Sequence, residues 1–385
     1  MVCARARVLD WVIVGGGLHG ICAGRALSSQ GASLRIVDPT GQLFQRWNLR
    51  SKAVAMTWMR SPSGHHLDGP PVSLHHFLHR PENADVADLA GTFRRPTHAA
   101  FLRHSQEVAE REQLQERVVR GRVDRIQRDE DHLLITGDQL ALRARRILVA
   151  TGTNLPRIPD WARGLQQAGA PIHHLFGGSL GHDQDLLGGG ISAVQRALMM
   201  ARTRTRPIRL WMRRPLHVAD FDVDRDWTKH RFARRWSSLD EAARLDFLRR
   251  HRHRGSVPHG LARRLQRAVR RGSIQVIHRE PSVSWNAASG RLALSTGRES
   301  VESDGLTLAT GLQAEHVRGW LRRTADDLDL PLVNTLPRLG DDMHWGHGIH
   351  VSGPLARLRL GPMAGNVVGA RWASSRLPGV RMQPV

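Results

Sequence analysis

A chain of 385 residues can bury one large core or two smaller ones, and this one sets 57 Lys and Arg against 35 Asp and Glu, a formal charge of +22. Only Lys52 and Lys229 are lysine and there is no tyrosine, so the arginine excess reflects GC-rich coding in part; what remains is a basic surface able to attract phosphates, anionic lipids or an acidic protein partner. Two cysteines, Cys3 and Cys22, exclude a disulfide framework and a four-cysteine zinc site, and the low aromatic content without a recognisable binding module argues against nucleic acid. No apolar segment approaches the ~20 residues of a transmembrane span. The run 8–14 is broken by Asp10 and passes straight into a glycine turn, unlike a signal peptide despite Arg5 and Arg7, and a cytoplasmic location is expected.

In chain order, Trp11-Val12-Ile13-Val14 predicts a strand, and the turn Gly15-Gly16-Gly17-Leu18-His19-Gly20 follows it, opening a helix with Ala23, Ala26 and Leu27 on its apolar face. Gly31 is placed as the left-handed end of that helix. A second strand, Leu34-Arg35-Ile36-Val37, delivers Asp38, 23 residues after Gly15. Strand, glycine turn, helix, strand and acid in this register form a dinucleotide fingerprint: a tight turn, close backbone approach to a pyrophosphate, and a carboxylate for a ribose.

Residues 40–116 read as an insertion rich in His, Pro, Arg and Trp. Short strands are expected at Val118-Val119, 123–126, 133–135 and 140–142, and then at Ile147-Leu148-Val149-Ala150, ending on Thr151-Gly152. A second glycine turn, Gly188-Gly189-Gly190-Ile191-Ser192-Ala193, lies 173 residues after the first, behind the short lead-in Asp185-Leu186-Leu187. The strand 208–212 ends on Arg213-Arg214, 25 residues beyond Gly188, where arginines suit the 2′-phosphate of NADP better than the ribose of NAD. The ending Ala-Thr-Gly recurs at Ala309-Thr310-Gly311, so the chain repeats one layout. Two such turns in this order point to FAD and a nicotinamide held face to face.

Other groupings read blandly. His75 with His79, and His344, His347 and His350, lack a carboxylate set that would complete a metal site, so no metal is expected. A Ser-x-x-Glu capping box at Ser238 to Glu241 is expected to start a helix towards Arg250. The next helix carries Leu261, Leu265 and Val269 as its packed stripe, with arginines in solvent or docked to an acidic partner or membrane surface.

The glycine turns, the two Ala-Thr-Gly ends, residues 47–50, Met59-Arg60-Ser61-Pro62 with His65-His66-Leu67, and Arg95-Pro96-Thr97 through Phe101 together resemble flavoproteins with two dinucleotide-binding domains. Among these the resemblance is to class B and N-hydroxylating monooxygenases, such as those of lysine and ornithine. It implies an α/β fold with two Rossmann-like domains, the FAD domain discontinuous around the NADP domain: residues 1–160, then 161–311 with a helical insertion at about 215–272, then 312–385. It implies FAD binding by Gly15, Gly17, Gly20 and Asp38, a backbone contact from Val123, and approach of Trp47, Arg60 and Ser61 to the flavin. The strand and turn 348–353, ending on Gly353, and a helix from Met363 to Trp372 would complete the flavin site, with Pro354 where many relatives have Asp. Thr151, Gly152, Thr310 and Gly311 join the cofactor candidates, and Gly188, Gly190, Ser192, Ala193, Arg213 and Arg214 would take NADPH, with NADH the alternative.

The expected function is an FAD-dependent NADPH oxidoreductase that uses oxygen to oxygenate a small-molecule substrate, with the flavin rather than a protein nucleophile carrying the chemistry. The alternatives are a reductase passing electrons to a quinone or redox protein, and a flavin-bearing RNA-associated protein. A dithiol reductase is disfavoured because the chain has no Cys-x-x-Cys.

Overall fold

The computed structural model describes residues 8–152, 155–178, 184–223, 227, 230–251, 253, 255–297, 299–313 and 316–380; Cys3, Arg5 and Arg7 lie outside these. Strand β1 (Leu9–Val14) is apolar on both faces from Trp11 onward and sits at the centre of the first sheet, as a parallel strand covered on both sides must. Helix α1 (Leu18–Ser28) returns the chain to β2 (Leu34–Asp38), and Gly31, at φ 78°, closes the helix in the left-handed conformation. Helices α2 (Gln45–Ala53), α3 (Ser73–Leu78) and α4 (His98–Arg111) occupy the insertion. Then come β3 (Val118–Arg120), β4 (Val123–Asp129), β5 (His132–Gly137) and β6 (Leu140–Val149). The last of these merges two strands expected separately: Arg143 and Arg145 turn outward while Ala144 packs inward, so the arginines do not interrupt the alternation.

The second unit repeats the plan. After β7 (Ile172–His174), β8 (Asp185–Leu187) leads through the second glycine turn into α5 (Ile191–Met200) and β9 (Ile208–Trp211). Helices α6 (His230–Ser238), α7 (Glu241–Arg250) and α8 (His259–Arg270) precede β10 (Ile274–Ile277). A three-stranded antiparallel sheet over Ser282–Asn286, Arg291–Thr296 and Glu299–Ser303 follows, then β11 (Leu306–Leu308). The chain then returns to the first sheet with β12 (His344–Gly346) and β13 (Ile349–Val351) before α9 (Val367–Ser374).

Strand order is β12-β13-β6-β1-β2-β3 in the first sheet, with β4 and β5 joined at the edge of β6, and β10-β9-β8-β11-β7 in the second. In each, the strand before the glycine turn lies between the strand after the helix and the strand ending in Ala-Thr-Gly, all parallel. Because β13 pairs with β6, residues 344–351 belong to the first sheet although the entire second sheet intervenes in sequence.

Three local expectations need correction. Ser238 ends α6 and donates to the Arg235 carbonyl, whereas Asp240 caps α7 by accepting from the Ala243 amide at 2.8 Å; a two-residue break at Leu239 and Asp240 moves the start. On α8 the buried stripe is Ala262 and Leu265, with Val269 exposed, because the helix rolls its small residues onto α5 and the sheet. The C-terminal helix begins at Val367 rather than Met363: residues 361–365 form a 3₁₀ turn containing Pro362, and Asn366 is extended at ψ 172°.

Histidines of the expected non-metal groups are hydrogen-bonded to backbone. His79 Nδ1 meets the His75 carbonyl at 2.7 Å, His350 Nδ1 the Asp342 carbonyl at 3.0 Å, and His344 Nε2 accepts from the Gly348 amide.

Candidate functional site

The first glycine turn assigns three different jobs to its glycines. A Cβ on Gly15, whose φ is 119°, would meet the Ala150 carbonyl oxygen at 2.5 Å, so this glycine lets β1 and β6 end side by side. A Cβ on Gly20 would meet the Gly15 oxygen at 1.9 Å, so that glycine lets α1 pack onto the turn. Gly17 is different: nothing lies within 4 Å of its Cβ position, and its φ of −83° is open to any residue. The fold does not require glycine there, yet the space above it is clear, and α1 starts with no side-chain cap on its amides. A bare helix N-terminus below open space has the geometry that can cradle a pyrophosphate.

Asp38 ends β2 beside this cradle. Its Oδ2 accepts from the Gly16 amide at 2.9 Å, and its Oδ1 accepts from the Thr40 amide at 2.9 Å and hydroxyl at 2.6 Å. These bonds fix the carboxylate against the turn, with lone pairs remaining for a ribose hydroxyl. Opposite, Gly353 at φ 88° brings the C-terminal turn to within 3.7 Å of the His19 ring, measured from its Cβ position. Nothing in the sequence around His19 marks it as a site residue. It is buried, its Nδ1 shares a 2.9 Å hydrogen bond with the Ser352 hydroxyl, and burial pushes its pKa down to about 4, offset only partly by the Gly365 backbone. The ring is therefore neutral at pH 7, and it locks the C-terminal turn to the fingerprint.

The remaining candidates of the first unit fall in two places. Trp47 stacks on His98 at 4.8 Å and tilts against Phe101, on the insertion side. Val123 is buried at the start of β4, and Thr151 and Gly152, the latter at φ 63°, follow β6 at the end where the cradle lies. Arg60 is committed elsewhere: its guanidinium donates to the carbonyls of Asp220 and Ala219 and to the Ser256 hydroxyl at 3.1, 2.9 and 2.8 Å. With Arg95, which also binds Asp220, it clasps the insertion to the second unit; Ser61, partly buried, follows it.

In the second turn Gly188 repeats Gly15, with a Cβ that would meet the Ala309 oxygen at 2.4 Å, and Ala193 packs fully buried in the third position. Gly190 is less open than Gly17: its Cβ position lies 3.4 Å from the Gly255 Cα. Helix α5 again lacks a side-chain cap, and Ser192 is its second residue. Arg213 and Arg214 are both exposed beyond β9, but Glu280, from the end of the neighbouring β10, stands 3.6 Å from Arg213 and accepts from Trp161. No acid follows β9 in sequence; the sheet brings one there. Thr310 donates to the Arg157 carbonyl, and Gly311 pairs with Arg157 and accepts from His174, so this Ala-Thr-Gly end is stitched to the link between the sheets.

The polar lead-in to the second turn has its own explanation. Asp185 is wholly buried, and accepts from Arg209 at 2.7 and 2.6 Å, from Trp211 at 2.8 Å and from Ser303 at 2.5 Å. A buried carboxylate so fully partnered pins β8 to β9 and to the strand before β11.

A profile of FAD-NAD(P)-binding domains matches residues 12–154, which contain the first turn, Asp38 and the first Thr-Gly end. No protein of curated function is a significant match in sequence. In three dimensions the chain is similar to the ornithine N-hydroxylase of Kutzneria sp. 744, with a TM-score of 0.75 at 15% identity over 96% of this chain and 98% of that one. It is similar also to the ornithine hydroxylase of Pseudomonas aeruginosa (TM-score 0.73, 20% identity, 97% and 98% covered). The cadaverine monooxygenase of Erwinia amylovora gives 0.73 at 14% identity, with 98% and 96% covered. The fold is thus that of a flavoprotein with two dinucleotide-binding units. Within that class it is the fold these N-hydroxylating enzymes share, end to end.

Proposed function

We propose that the protein is an FAD- and NADPH-dependent monooxygenase acting on a small molecule with oxygen. The observation that carries this reading is the duplicated turn: two parallel sheets, each ending in a glycine that lets two strands close and an uncapped helix behind it, the first with a clear cradle at Gly17. FAD belongs at the first turn, with Asp38 placed for its ribose and α1 for its pyrophosphate; NADPH belongs at the second, with Arg214 the less encumbered of the two arginines. FAD held there would supply the hydride-accepting and oxygen-activating chemistry, with NADPH as its reductant. The chain's own part is to hold and enclose. The clasp of Arg60 and Arg95 ties the insertion to the second unit, and Trp227, Trp236 and Phe247 pack the helical insertion onto Met363 and Val368 of the C-terminal segment, which keeps water from the region between.

The similar proteins act on ornithine and cadaverine, and an amine is the substrate class to test first. Purified enzyme with FAD and NADPH should convert L-ornithine, L-lysine, cadaverine or a related amine to a hydroxylamine, with NADPH consumption matched by product rather than by peroxide. Consumption that yields only peroxide with every amine, and rapid reduction of a quinone or redox protein, would favour the reductase. Cys22 does not support a thiol reductase: its Sγ is buried and donates to the Leu67 carbonyl, and burial pushes its pKa up.

A further inference from the structure

A cavity of about 520 Å³ lies between the outer face of α5, the first turns of α8 and two stretches of the insertion, residues 55–60 and 90–95. Its lining combines two kinds of side chain. Trp58, Met59, Phe93, Leu198, Met199 and Leu261 make an apolar portion. The α5 side chains among them point away from the sheet, which is packed instead by Ala193, Val194, Ala197 and Met200. Arg202, Arg263 and Arg264 make the other portion.

Among the described residues no carboxylate pairs with these three arginines. The acid that does line the cavity, Asp220, is already taken by Arg95 at 3.1 Å and His259 at 2.9 Å. Arg264 is half-buried, and burial first, then the charges of Arg202 and Arg267, push its pKa down. Guanidiniums gathered beside apolar surface without a counter-charge raise the energy of the empty site, and an anion placed among them removes that cost through paired hydrogen bonds. Helix α8 adds a weak bias of the same sign, since it begins at the cavity with Pro258 and no side-chain cap.

We propose that this cavity binds a small molecule carrying a carboxylate or phosphate on an apolar body, with the head group at Arg202, Arg263 and Arg264 and the body against Leu198, Met199 and Phe93. Arg202 lies just past the C-terminal end of α5, a helix length from the second glycine turn, although Ile191, the first residue of α5, also lines the cavity. A cation on an apolar body has no partner there, because the acid is occupied.

Octanoate and octyl phosphate serve as probes, with octylamine and inorganic phosphate as controls, and binding to the FAD-loaded protein is measured by calorimetry with and without saturating NADP⁺. Octanoate, octyl phosphate or both should bind, octylamine should not, and NADP⁺ should leave the affinity unchanged. Because Arg202 and Arg263 are exposed, the double variant Arg202→Ala with Arg263→Ala should keep its flavin spectrum and lose affinity about tenfold or more, the size expected of charge-assisted contacts. The variant Leu198→Trp, which fills the apolar portion, should weaken the same probes. Equal binding of octylamine, binding of inorganic phosphate alone, displacement by NADP⁺, no binding of either anionic probe, or an arginine variant that binds as the parent does would each overturn the proposal.

Discussion

Gly17 and Gly20 stand three residues apart in the same turn, and the structure assigns them opposite sensitivities. A Cβ at Gly20 would sit 1.9 Å from a backbone oxygen in a packed turn, so Gly20→Ala should destabilise the protein by about 1–3 kcal/mol or prevent folding. A Cβ at Gly17 meets nothing within 4 Å, so Gly17→Val should cost only the about 1 kcal/mol of a poor helix N-cap, while its side chain stands where a pyrophosphate would lie. Gly17→Val should therefore be soluble, thermally near normal and colourless, and full flavin absorbance in that variant would show the cradle is misplaced. The glycines and Asp38 were legible because a backbone turn and a strand end are local constraints. His19 and Asp185 were not: the first acts through Ser352 and the second through Arg209, Trp211 and Ser303, contacts that span 333 residues for His19 and 118 for Ser303. Nothing in the neighbouring sequence marks them, apart from a polar residue opening a buried strand.

At the scale of the element, the repeated order of glycine turn, helix, strand and Ala-Thr-Gly end was legible because it follows from the 2- and 3.6-residue periodicities, and the sheet order adds what periodicity lacks. It places β10 beside β9 and so sets Glu280 against Arg213. Discrimination between nicotinamides should consequently rest more on Arg214. Flavin reduction at low concentration should be faster with NADPH than NADH; Arg214→Ala should lose most of that preference, roughly 1.5–3 kcal/mol per lost charged hydrogen bond, and Arg213→Ala less. Glu280→Gln should strengthen the preference by releasing Arg213. Equal use of both nicotinamides by the parent enzyme, in stopped-flow traces, would remove this account of the strand end. The misplaced helix starts at Ser238 and Met363 have a shared cause. Both lie where one helical segment abuts the next, and composition continues across a break that only Asp240 and Asn366 mark.

For the whole molecule, three buried histidines, His19, His104 and His350, are each pushed by burial from 6.5 down to about 4. Between those values the unfolded chain binds more protons than the folded one, so stability is full above about pH 6.5 and falls as pH drops towards 4, by up to about 1.4 kcal/mol per pH unit for each ring. The thermal midpoint should decline steadily from pH 6.5 to 5, and a flat midpoint over that range would contradict the neutral burial of these rings. The discontinuous first sheet was legible only through the family resemblance, since nothing local says that residues 349–351 pair with residues 147–149. That return places Gly353 beside His19 of the first turn and sets the His350 ring against Trp11 of β1. The most direct test is to reduce the FAD-loaded enzyme anaerobically with NADPH and mix it rapidly with oxygenated buffer. A transient absorbing to the blue of oxidised flavin, longer-lived with NADP⁺ bound than without, is the predicted result; immediate return to oxidised flavin with stoichiometric peroxide, whether or not NADP⁺ is present, would contradict it.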